Sequence, residues 1–219
     1  MTCDRSGNNT DSAVRTYVDF IARMTASASH ELKNVLAIVN ENAGLLDDLL
    51  LLAAKGKPLN PERLQRLAVN IHGQVQRGDE IVKRLSMLAH TVYDEIGLID
   101  IREICENTVS LTVRLAMMQN IQVSMASGEP VIARIHPFLL ANALWVVLSR
   151  LLHMASVSGQ GRIELCPWQN GKTVVAFQIH NFTAVDDIVE LIKEEDALAL
   201  NAIHARLEFD KEKGLCLYL

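Results

Sequence analysis

This chain has no surplus of positive charge: 21 Lys and Arg stand against 26 Asp and Glu in 219 residues, a formal net charge of -5. The basic clustering of a nucleic-acid surface is missing, so nucleic acid is not an expected partner. Cysteine is sparse. Cys3, Cys105, Cys166 and Cys216 are scattered, with no CxxC pair and no zinc-finger spacing. They read as reduced, mostly buried thiols, and no metal site is expected. The first ten residues, MTCDRSGNNT, are too polar for a secretory signal. No apolar run approaches the roughly 20 residues that cross a bilayer. A cytoplasmic protein without membrane contact is the expectation. The sequence also lacks internal repeats and low-complexity tracts, and residues 172–213 contain no glycine.

What is present is the composition of a folded chain, 49% hydrophobic and 21% charged. Residues 1–10 read as a disordered tail, 11–92 as a helical hairpin and 93–219 as a second domain. From Asp11 to Ala54 apolar residues recur in steps of three and four: Val14, Tyr17, Ile21, Met24, Ala28, Leu32, Val35, Val39, then Leu45, Leu46, Leu49 and Leu52. Some 40 residues at 1.5 Å each make a rod of roughly 60 Å. A break at Lys55–Pro61 follows. Asn60 is a good N-cap and Pro61 a good first helical residue. The second stripe runs through Leu64, Leu67, Ala68, Ile71, Val75, Ile81, Leu85 and Leu88. Gly73 and Gly78 weaken it by about 1 kcal/mol each relative to alanine. Two helices with one apolar face apiece make half a bundle, so a homodimeric four-helix bundle is expected.

Beyond Tyr93 the pattern changes. Ile101–Met118 and Pro137–Ser156 read as helices, Ile121–Ala126 and Val131–Arg134 as short strands. Ile163–Trp168 and Thr173–His180 flank Asn170-Gly171, a hairpin turn signal, with Val175, Phe177 and Ile179 alternating toward one face. Residues 184–205 read as helix and Leu215–Leu219 as a final strand. The fold class is α+β, a helical hairpin followed by an α/β sandwich with helices on one face of a sheet. The apolar run Leu144-Trp145-Val146-Val147 reads as core rather than interface.

Within the first helix, "SASHELKNVLAIV" (27–39) places His30 two residues past a core position, pointing outward or to the flank. Asn34 lies one turn on and shares its face, and Glu31 is adjacent in sequence. An outward imidazole keeps one ring nitrogen free, while a neighbouring carboxylate can hold the other ring proton. Zinc is excluded at this spacing, because a metalloprotease helix needs histidine where Asn34 stands. His72, His90, His136, His153 and His180 show no convergent metal spacing and read as structural or surface residues.

His30-Glu31-Leu32-Lys33-Asn34, set in a long helix that turns back as a hairpin, resembles the H-box of bacterial sensor histidine kinases, in their dimerisation and phosphoacceptor domain. The resemblance covers residues 11–92 and, more faintly, the rest. It implies that His30 is the phosphoacceptor, that Glu31 positions or deprotonates it, and that Asn34 occupies the place that orients a hydrolytic water in members with phosphatase activity. In that family an ATP-binding sandwich follows. Here its two magnesium-binding asparagine positions fall at Arg150 and Met154, and methionine cannot ligate a hard cation. "FQIHNFTAVDD" (177–187) has neither the glycines nor the aspartate of the family's adenine-binding segment. "DALALNAIHARL" (196–207), which resembles the helix after the ATP lid, lacks the glycines that let a backbone wrap a triphosphate. The sandwich is therefore expected to be degenerate and to bind no cofactor.

The expected function is histidine phosphotransfer, with His30 accepting and passing phosphoryl groups between receiver-domain aspartates of response regulators, and with Mg2+ supplied by the receiver. Specificity is expected from the flank residues Ser27, Lys33 and Ala37. Two alternatives stay open: a response-regulator phosphatase that uses Asn34, and a non-enzymatic dimeric scaffold.

Overall fold

The computed structural model describes residues 5–158, 161–180 and 194–219. Helix α1 runs Arg5–Ala54 and α2 runs Pro61–Thr91, joined by a short turn into an antiparallel hairpin. Asn60 caps α2 as its residue type predicts: its side-chain oxygen accepts from the backbone N–H of Glu62 (2.9 Å) and Arg63 (3.3 Å). Helix α1 starts earlier than expected. Residues 5–10, assigned to a disordered tail, are helical, because extending a nucleated helix adds one hydrogen bond per residue fixed.

The second half follows as β1 (Gly97–Asp100), α3 (Ile101–Met117), β2 (Ile121–Met125), β3 (Ile132–Ile135), α4 (Pro137–Ser158), β4 (Gly161–Asn170), β5 (Lys172–His180), α5 (Glu194–Asn201), β6 (Arg206–Asp210) and β7 (Gly214–Tyr218). Five strands form one sheet in the order β2-β4-β5-β7-β6, with β2 and β4 parallel and the other pairs antiparallel. Strands β1 and β3 form a separate antiparallel pair. The turn Asn170-Gly171 closes β4 onto β5, with Gly171 at φ +71°. At Gly214 (φ +84°) a Cβ would collide with the Phe177 carbonyl oxygen, so only glycine lets β7 start there.

The core lies between the sheet and the helices: Ile101, Cys105, Leu140, Leu144, Val147, Leu148 and Leu151 face Ile163, Leu165, Val175, Phe177, Leu215 and Leu217. Helix α4 corrects one expectation. Pro137–Ala155 is apolar and long enough to span a bilayer by length and composition, and 72% of it is buried within the fold. It is the core helix, apolar nearly all round because it is covered on two sides. The sheet's outer face is apolar too. Val174, Ala176 and Cys216 are buried there beneath Trp168 and Tyr218, with Lys213 4.4 Å over the Trp168 ring and Lys172 5.7 Å over Tyr218.

The sandwich is seated on the hairpin. Tyr17, Phe20, Ile21 and Met24 of α1 and Leu88 of α2 pack against Leu111, Leu115, Phe138, Ala141 and Trp145. The Phe20 ring stacks on Trp145 at 6.3 Å and Tyr17 meets Phe138 edge-on at 5.6 Å. The run Leu144-Trp145-Val146-Val147 is thus divided: Leu144 and Val147 face the sheet, and Trp145 faces the hairpin. Ser27 Oγ donates to the Leu111 carbonyl (3.4 Å), and Asn107 Nδ2 donates to the Arg84 carbonyl (3.3 Å).

Candidate functional site

Helix α1 keeps Ala28, Val35 and Leu49 buried toward α2, where Ala28 and Val35 meet Ile81 and Leu85. At 3.6 residues per turn His30 lies about 140° round from that buried line, on the solvent side. The structure places it so: His30 is exposed, as are Asn34, Lys33 and Ala37. The site is a ridge without a roof, roughly a turn below the place where the sandwich docks.

Glu31 goes the other way. Its side chain is only 17% exposed and enters the groove between the helices, where its Oε2 lies 3.7 Å from Arg77 Nη2 of α2. At this level α2 presents Gly78 to α1, where a Cβ would sit in ordinary van der Waals contact with Val35 Cγ1, at 3.4 Å.

Ser27 is corrected. It is 4% exposed and bonded to the Leu111 carbonyl, so it cannot touch an incoming protein. The sandwich covers that flank, which helical periodicity alone does not show. Arg84 is half-buried, pairs with Glu80 at 2.7 Å, and lines a cleft of about 340 Å³ with Arg102, Glu106, Ser110 and Ser127. The Arg102 guanidinium donates to the Ala126 carbonyl at 2.6 Å.

In the sandwich, Arg150 forms an ion pair with Asp196 of α5, and Met154 packs against the core. Helix α5 lies against both α1 and α4. The segment 181–193, which includes Asn181–Asp187 of the stretch read as lacking the family's adenine-binding aspartate and glycines, lies outside the described residues. Burial pushes the thiols of Cys105, Cys166 and Cys216 upward, which keeps them protonated and unreactive. Among the described residues no cluster of three or more His, Cys, Asp or Glu could hold a metal ion.

The fold is that of a long helical hairpin carrying an α+β sandwich. Among solved structures, the chain resembles the Acinetobacter baumannii histidine kinase AdeS, at 13% identity over 87% of this chain and 96% of that one, TM-score 0.36. It resembles the cytoplasmic segment of histidine kinase QseC at 14% identity, over 74% and 95% of the two chains, TM-score 0.38. A third is histidine kinase ThkA, solved in complex with the response regulator TrrA, at 16% identity over 93% and 62%, TM-score 0.42. No protein-family model and no curated protein matches the chain.

Proposed function

We propose that this protein is a homodimeric histidine phosphotransferase of two-component signalling, with His30 as the residue that accepts and passes the phosphoryl group. The observation that carries the proposal is the exposed imidazole of His30 on the solvent ridge of α1, with Asn34 one turn away on the same side and the Glu31 carboxylate in the adjoining groove. A receiver domain brings its aspartyl phosphate and its Mg2+ to that ridge, and positioning does most of the work. The unprotonated ring nitrogen attacks phosphorus. A P–N bond forms as the P–O bond to the aspartate breaks, the bonding pair leaves with the carboxylate, and the ring proton stays on the other nitrogen. The reverse step passes the group to a second receiver.

The dimer is supported by the apolar residues that the hairpin leaves outside. Val18, Leu36 and Leu50 of α1 and Val75 and Val82 of α2 are each 47% exposed or more. Helical geometry puts both stripes on one side of the hairpin, away from His30. The sandwich takes no nucleotide in this reading, since Arg150 is paired with Asp196 and Met154 is packed in the core where the kinases bind magnesium. Mixing the protein with labelled phospho-receivers tests the proposal: acid-labile, alkali-stable label should appear on the chain and vanish in His30→Ala. The exposed amide of Asn34 favours the phosphatase as the second reading, in which His30→Ala would still dephosphorylate its receiver.

A further inference from the structure

The geometry points to Arg77 as a positioning residue for phosphoryl transfer at His30, acting through Glu31; this deepens the function proposed above and rests on it. A carboxylate that is 83% covered needs a counter-charge, and among the described residues the one paired with Glu31 is Arg77, at 3.7 Å across the hairpin. Gly78, next to Arg77, faces Val35 and Leu32 of α1, so the arginine stands at the seam between the two helices. The pair therefore joins the two helices at the residue that follows His30 in the chain and fixes where that negative charge sits. Transfer converts a neutral imidazole into a phospho-imidazolium that keeps its ring N–H. A carboxylate held in place stabilises that cation without reorganising, whereas an unpaired one turns out to solvent. Because Arg77 is 59% exposed, the pair adds little to folding. Its effect belongs to the reaction.

Single-turnover transfer from a phosphorylated receiver domain to the full chain decides the matter. Arg77→Ala should lower the rate at saturating receiver by about tenfold while leaving the half-saturating receiver concentration and the melting temperature unchanged. Arg77→Lys should keep most of the rate, since a cation remains. In a Glu31→Gln background, Arg77→Ala should add no further loss, because both act through one carboxylate. A wild-type rate in Arg77→Ala, a defect confined to half-saturation, or two losses that multiply would overturn the proposal while leaving transfer at His30 intact. Absence of label on the wild-type chain would remove the function proposed above, and this inference with it.

Discussion

His30 depends on exposure for access by a partner. Its ring stands on the outer ridge of α1, while the carboxylate next to it in sequence is held in the groove by Arg77. Replacing it should therefore separate function from folding: His30→Ala is expected to lose all phosphoryl acceptance while changing stability by less than about 0.5 kcal/mol, as a surface substitution does. Parallel labelling and denaturant titrations check both halves. Asn34→Ala should keep phosphorylation of His30 and lose only hydrolysis of the receiver phosphate, which a comparison of transfer and phosphate release would separate. The exposure of His30 and Asn34 was legible because steps of three and four fix which side of a helix faces out. Ser27 was not. Its place on the wheel is a flank, and only the sandwich resting on α1 makes it a buried donor to Leu111. Arg77 was equally hidden, because no periodicity pairs a residue of one helix with a carboxylate 46 positions away on another.

At the scale of elements, the hairpin is specified by local chemistry and the sandwich by packing. Asn60, Pro61 and the two apolar stripes mark both helices, and Asn60→Ala should cost about 1 kcal/mol by leaving the α2 N-terminal amides of Glu62 and Arg63 without their acceptor. A shift in denaturation midpoint at constant slope would show it. Strands β1 and β6 went unread. "GLID" and "RLEFD" are too short and too weakly alternating to stand out, and each is held by a partner strand distant or adjacent in the fold: β1 by β3, β6 by β7. Helix α4 was legible as apolar but not as two-sided; Trp145 and Phe138 differ from Leu144 only in what the hairpin brings to them. Phe20→Ala, which empties the stacked position between Trp145 and Phe138, is expected to cost about 3–5 kcal/mol and to expose the connection between α2 and β1 to proteolysis.

For the molecule as a whole, the packed Phe20–Phe138–Trp145 contact seats the sandwich as one flank of the ridge that carries His30. Any protein reaching His30 then meets the sandwich on one side and open helix on the other. The exposed stripes on α1 and α2 should make the dimer. Leu36→Glu combined with Val82→Glu is expected to shift the sedimenting species to monomer and leave the sandwich folded. The buried Cys105 thiol gives the fold a pH dependence of known sign. Burial pushes its ionisation up, so the folded chain keeps the proton where an unfolded thiol, ionising near about pH 8.5, gives it up. That contribution is complete below the unfolded value and is lost as pH rises above it. Between pH 7 and 10 the denaturation midpoint should fall further for the wild type than for Cys105→Ala.

Site mapping tests the central claim most directly. After incubation with a phosphorylated receiver, the chain is digested at alkaline pH and fragmented so that the phosphoryl group stays attached. The account predicts one modified residue, His30, in the peptide that also carries Glu31. Phosphate recovered on any other histidine, or a receiver emptied while every peptide stays unmodified, would contradict it.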